Sequence, residues 1–238
     1  MRRPTGATGR LARFGFTDVT AAGAWLGADG LALWDEARQH PADDHAAEVL
    51  RALAASADPD LALRQLHRLA ESARRVPGHR APGPIEAMRA DPDLRARLAA
   101  VLGASATLGD DLAADPRRWT TLTAAAGTDT DPFAGASTDS PSALRSAHRC
   151  AMLRIAAADL IGEADLERTM DRLSRLADAT LATALRLAQA EHRATPRLAV
   201  VAMGKCGGRE LNYVSDVDVI FVCAGRTTSP TRRRSRRG

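Results

Sequence analysis

Apolar positions recur at three- and four-residue intervals through most of the chain, then close up into two short continuous runs near its end. The first pattern predicts amphipathic helices and the second predicts strands. Leu63, Leu66 and Ala70 share one helical face, with Arg64, Arg68 and Glu71 off it, which predicts a helix over 60–75. Asp58 or Asp60 would cap its start. A helix over 44–56 precedes it, and 77–84, rich in Pro and Gly, is a loop. Residues 87–106 read as one helix broken or kinked at Pro92. Leu144, Ala147, Ala151, Ile155 and Ala158 predict a helix over 143–161. Leu166, Met170, Leu173, Ala177, Ala184 and Leu187/Ala188 predict a long one over 165–192. Leu198–Met203 and Val217–Val222 are β-branched and too short for stable helices, so they read as strands.

This pattern divides the chain into a helical region over 1–126, a linker over 127–142, a helical segment over 143–196, a strand-containing unit over 197–224 and a tail over 225–238. The linker is rich in Gly, Ser, Thr, Asp and Pro, and Phe133 is its only large apolar residue. Its Asp129, Asp131 and Asp139 do not have the spacing of a calcium-binding loop, and the segment reads as a solvated loop. The tail has no apolar periodicity and reads as disordered.

Composition adds three constraints. Hydrophobic residues make up 45% of the chain but aromatic ones only 3%, so the core is built from Leu, Ala, Val and Ile, as in a helical bundle. Phe14, Phe16, Trp25 and Trp119 are expected as packing anchors. The net charge of +4 is exceeded by the six arginines of 225–238, so the body is mildly acidic and offers nucleic acid no basic face. Three cysteines, Cys150, Cys206 and Cys223, stand apart in sequence without a signal peptide, which points to free thiols in a reducing cytoplasm. Cys206 is read as a small neutral filler. No apolar run reaches the length of roughly 18 residues that a membrane helix needs. The six histidines show no zinc spacing.

The chemistry concentrates in Met203–Val222, MGKCGGRELNYVSDVDVIFV. Asp216 and Asp218 are two apart at a strand start, so both side chains point to one face. Paired carboxylates repel unless a cation lies between them, and hard oxygen donors suit Mg²⁺, which binds through one or two carboxylates plus phosphate oxygens. Gly207-Gly208 would let the backbone approach a phosphate. Ser215 could bond that phosphate, and Lys205 and Arg209 could neutralise it. The other reading is a strand with solvated aspartates at its edge. For Lys205 and Arg209 surface or structural pairing stands equally open.

The same stretch resembles the signature of the glutamate–ammonia ligase (glutamine synthetase) adenylyltransferase family, most closely its actinobacterial form. The Gly208–Asp216 wording, GRELNYVSD, resembles the first, adenylyl-removing half of those bifunctional enzymes. The resemblance implies a mainly α helical bundle followed by the incomplete start of an α/β nucleotidyltransferase core. It implies ATP, ADP or AMP as nucleotide and Mg²⁺ as cofactor, with Asp216 and Asp218 as catalytic metal ligands. Gly207, Gly208, Ser215, Lys205 and Arg209 would lie on the phosphate side. Glutamine synthetase is the implied partner, with a nitrogen-signalling regulatory protein beside it and a cytoplasmic location. A third carboxylate, in an Asp-x-Arg-Leu-Arg-Pro stretch downstream in that family, has no counterpart here. The expectation is a chain that resembles a truncated or frameshifted product and is inactive alone. A catalytically silent protein-binding module is the alternative.

Overall fold

The computed structural model describes residues 10–77, 82–123, 131–192 and 197–224. A short 3-10 turn, Ala12–Phe14, leads into α1 (Val19–Leu26). A two-residue hairpin, β1 (Trp34–Asp35) with β2 (His40–Pro41), follows and was not foreseen from the pattern. Then come α2 (Asp44–Ala54) and α3 (Pro59–Arg74). Asp58 caps α3 by accepting from the Leu61 N–H, while Asp60 accepts from the Thr17 backbone N–H, so the two candidate caps have different jobs. Of the two options at Pro92, a break or a kink, the structure takes the break and forms α4 (Pro84–Ala90) and α5 (Pro92–Ala104). Asp91 ends the first and caps the second, its carboxylate accepting from the Asp93 and Leu94 N–H groups. Proline at the first helical position costs no hydrogen bond, so Pro92 begins a helix rather than bending one. Helix α6 (Ala106–Ala114) and a 3-10 turn, Pro116–Leu122, complete the first part.

These elements enclose one apolar core of leucines and alanines, with Phe16, Trp34 and Trp119 buried in it. Phe14 meets Trp34 edge-on, and Trp25 stacks on His67 with ring centroids 5.8 Å apart. Gly103 on α5 faces the Ser56 side chain, and a methyl group there would overlap it. Glycine is thus what lets α5 lie against the turn before α3.

Helices α7 (Pro141–Leu160) and α8 (Leu166–Glu191) form an antiparallel pair joined by a short turn. Helix α7 is buried on two sides. Leu153 and Ala157 belong to the first core, while Leu144, Ala147, Ala151 and Ile155 line a second. That second core also holds Phe133, Leu173, Leu176, Ala177, Cys206 and Leu211. Phe133 therefore anchors the segment read as a solvated loop, and Arg154 donates to the Pro132 carbonyl beside it at 2.8 Å. Residues 127–130 of that segment and the tail over 225–238 lie outside the described residues. On α8 the buried face is Thr169, Leu173, Ser174, Leu176 and Ala177, and Leu166 is exposed. Leu166 follows the cap residue Asp165, so it begins the helix before the partner surface starts.

A buried arginine ties the two cores. Arg97 on α5 pairs with Glu163 in the α7–α8 turn at 2.6 Å and donates to the Leu122 carbonyl at 3.3 Å. Beyond α8, β3 (Leu198–Ala202) and β4 (Val219–Cys223) pair antiparallel, with a helical turn, α9 (Gly204–Gly208), between them.

Gly103→Ala is expected to destabilise the chain by about 1–3 kcal/mol, as overpacking of a filled contact does. Urea unfolding followed by circular dichroism checks this.

Candidate functional site

The register of the hairpin places the site. Leu198 faces Cys223 and Ala202 faces Val219, and the ladder continues by one bond from the Met203 N–H to the Asp218 carbonyl at 2.9 Å. Strand β4 therefore starts at Val219 rather than Val217, and Asp216 and Asp218 precede it. Directly opposed residues share a face, so Asp218 lies on the side of Ala199, Val201 and Met203, which is the exposed side of β3. Leu198, Val200 and Ala202 take the half-buried side. Both aspartates are exposed.

The glycine segment is itself a helical turn, not an open loop. The Gly207 N–H donates to the Met203 carbonyl at 2.9 Å. A Cβ at Gly207 would stand 2.6 Å from the Ala202 carbonyl oxygen, so a side chain there would push the turn off β3. Gly204 adopts φ +52°, a left-handed conformation that favours glycine. A Cβ there would come within 3.3 Å of the Asp218 carboxylate, so this carboxylate lies against the start of the turn. Gly208 and Lys205 are exposed. Cys206 is buried in the second core as a filler, and burial raises its thiol pKa, with Asp178 adding to the effect.

After the turn the chain runs along the α7–α8 pair. Arg209, at φ +59°, reaches α8: its Nε donates to Asp171 at 3.0 Å, with Nη2 also 3.0 Å from that carboxylate, and its Nη1 donates to Asp178 at 3.0 Å. The Asp171 hydrogen bond is the main reason its pKa is raised. The same Asp171 accepts from Arg175 at 2.6 Å, and these two arginines, Arg175 first, hold its carboxyl below the usual range. Leu211 is buried in the second core. The Tyr213 hydroxyl donates to Asp159 at the end of α7 at 2.8 Å, and Thr169 donates to the same carboxylate at 3.3 Å. Burial, then the Asp159 bond, raises the Tyr213 pKa.

Ser215 closes a local turn. Its hydroxyl donates to the Asn212 side-chain oxygen at 2.8 Å and accepts from the Asn212 N–H at 3.1 Å. The structure thus gathers Lys205, Gly208 and Asp218 around the helical turn, with Asp216 two residues before Asp218. It turns Gly207, Arg209 and Ser215 toward protein partners. The sequence reading missed Asp159, Asp171 and Asp178, whose only signal is their spacing on helices that the loop crosses. Among the described residues no group of three or more His, Cys, Asp or Glu side chains gathers in metal-holding geometry. Two carboxylates are the complement that Mg²⁺ accepts when phosphate oxygens and water fill the rest of its shell.

Fold and site together define a mainly helical protein that presents an acidic pair and a glycine-containing turn on a terminal hairpin. The family model described as glutamate-ammonia ligase adenylyltransferase matches residues 95–237. The bifunctional glutamine synthetase adenylyltransferase/adenylyl-removing enzyme of Streptomyces coelicolor is 45% identical over 230 residues, covering 93% of this chain and 22% of that protein. The proteins of the same description from Mycobacterium marinum and Nocardia farcinica are 39% and 36% identical, over 89% and 93% of this chain. The chain belongs to the glutamate–ammonia ligase adenylyltransferase family, and it spans about a fifth of the length of these curated relatives. No helix among the described residues is long and apolar enough to cross a membrane.

Tyr213 makes stability pH-dependent with a defined sign. Below pH of about 10, the ordinary tyrosine value, folded and unfolded chains both keep the proton and the contribution is full. Above it the unfolded chain ionises first while the folded chain holds the proton, so stability falls as pH rises. Tyr213→Phe is expected to flatten that alkaline fall, read as urea midpoints at about pH 8 and about pH 11.

Proposed function

We propose that this chain supplies the opening of a Mg²⁺-dependent nucleotidyltransferase core that handles AMP on glutamine synthetase. The observation that carries the reading is the hairpin register, which brings the Asp218 carboxylate against the glycine-containing turn. Asp216 and Asp218 would hold the metal. The Lys205 ammonium and the backbone at Gly208 are the groups left facing solvent on the phosphate side, with Gly207, Arg209 and Ser215 shaping the backbone beneath them.

When bound, Mg²⁺ would neutralise phosphate oxygens and orient them for in-line attack. In the adenylyl-removing direction an oxygen of inorganic phosphate attacks the α-phosphorus of tyrosyl-AMP. The bond from phosphorus to the tyrosine oxygen breaks, and ADP leaves as the tyrosine takes a proton. In the adding direction the tyrosine oxygen attacks ATP and pyrophosphate leaves. The chain's own residues place the nucleotide and hold the charge. The names of the relatives support glutamine synthetase as the protein acted on. Regulation of nitrogen assimilation, a nitrogen-signalling regulatory partner and a cytoplasmic location belong to the same reading.

One observation favours a second reading, a protein-binding module without turnover. The hairpin exposes Ile220, Phe221, Val222 and Val214, the last 91% exposed. Exposed apolar groups in one place suit a macromolecular partner.

Mn²⁺, a spectroscopic stand-in for Mg²⁺, separates the readings when titrated into the chain with ADP present. Asp216→Asn and Asp218→Asn are each expected to weaken it by at least about tenfold, the loss that even outer-shell changes cause. The circular dichroism spectrum should not change. Equal affinity in both variants, with retention on immobilised glutamine synthetase intact, would favour the binding module.

A further inference from the structure

Residues 209, 211 and 213 alternate along the segment that leads out of the glycine turn. The partners of all three lie on the α7–α8 pair or in the core it lines. Arg209 is held by Asp171 and Asp178, Leu211 is buried in the second core, and Tyr213 bonds Asp159. Asp171 and Asp178 are seven residues apart, two turns of one helix face, so a single guanidinium bridges both. Asp159 is itself fixed from the other side by Thr169. The intervening Glu210 and Asn212 are exposed.

We propose that Arg209, Leu211 and Tyr213 form a docking strip that positions the glycine turn and the acidic pair on the helical body. Asp159, Asp171 and Asp178 are the positioning residues that receive it. The guanidinium serves this seat in place of a phosphate. The physical case is that the hairpin has little else to hold it: Cys206, Leu211 and the partly buried Ala202 are its share of the second core. Each ion pair at the surface contributes little alone, because solvent screens it. Three pegs on alternate residues fix a line, which one peg cannot. The Glu210 N–H then closes the turn on the Lys205 carbonyl at 2.8 Å, carrying the placement back to the start of the turn. The consequence for the site rests on the metal-binding reading given above; the docking itself does not.

The experiment is hydrogen exchange of the whole 238-residue chain, paired with Mn²⁺ titration in the presence of ADP. Tyr213→Phe is expected to speed exchange of the 204–218 amides by about tenfold or more, the loss of one hydrogen bond to a charged acceptor. Exchange in α3 and α5 should stay unchanged. Arg209→Met is expected to do the same, and Arg209→Lys to restore part of the protection, since one ammonium cannot reproduce the planar fork. Asp171→Asn with Asp178→Asn should match Arg209→Met. Mn²⁺ affinity should fall in each variant while the melting temperature holds, a combination that a purely structural role does not give. Unchanged exchange in all of them, or acceleration spread equally over α3 and α5, overturns the docking strip. Wild-type chain that binds no Mn²⁺ overturns the metal reading instead and leaves the exchange result to decide the strip.

Discussion

The structure depends on α7 being buried on both sides. Leu153 and Ala157 close the first core, and Leu144, Ala147, Ala151 and Ile155 open the second. Six of its twenty residues from Pro141 to Leu160 are alanine, and five of those are buried. Small side chains let neighbours approach from both sides without voids, the condition that close packing sets. Arg97 strengthens the join from the first core. Its side chain is 7% exposed, so its pairing with Glu163 and the Leu122 carbonyl is what makes the buried charge tolerable.

The hairpin is thus a passenger on the second core. It reaches the first core only through α7. Its two strands satisfy each other's backbone but leave apolar side chains on both faces in solvent, Phe221 at 63% exposure and Ile220 at 50%. A two-stranded sheet alone is marginal in water. Contacts outside the ladder must therefore decide where the turn sits. Those contacts are the small apolar share of Cys206, Leu211 and Ala202 in the second core, and three aspartates, two on α8 and one at the end of α7.

Where the sequence was legible, one force acted locally. Asp58, one of the two caps expected, caps α3 because a short oxygen-bearing side chain before an apolar-periodic run meets a free N–H three residues on. The α7 stripe was readable for the same reason, since all five of its marked positions are buried. The pattern failed where tertiary contact chose among local options. It placed Leu166 in the stripe, but no partner covers the first turn of α8. It made 127–142 a solvated loop; the described part before α7 is a loop, but Phe133 is buried in the second core. It read Gly207-Gly208 as an approach to phosphate, and the structure adds that the Ala202 carbonyl lies against Gly207. Glycine marks a close approach without saying to what.

The same ambiguity runs through the family signature. Its wording over 204–218 mixes two jobs that alternate along the chain. Arg209, Leu211 and Tyr213 face the helices, and Cys206 fills the core beneath them. Lys205, Gly208, Asp216 and Asp218 are left to solvent. A resemblance attaches chemistry to the whole stretch, because the match does not say which side each residue takes. The strand register and the helix carboxylates do. Charge type alone would assign Arg209 to phosphate, but its guanidinium is already shared by two carboxylates. The acidic pair has no such commitment among the described hydrogen bonds of its side chains, and that difference in partnering separates the groups that hold the turn in place from those without a described partner.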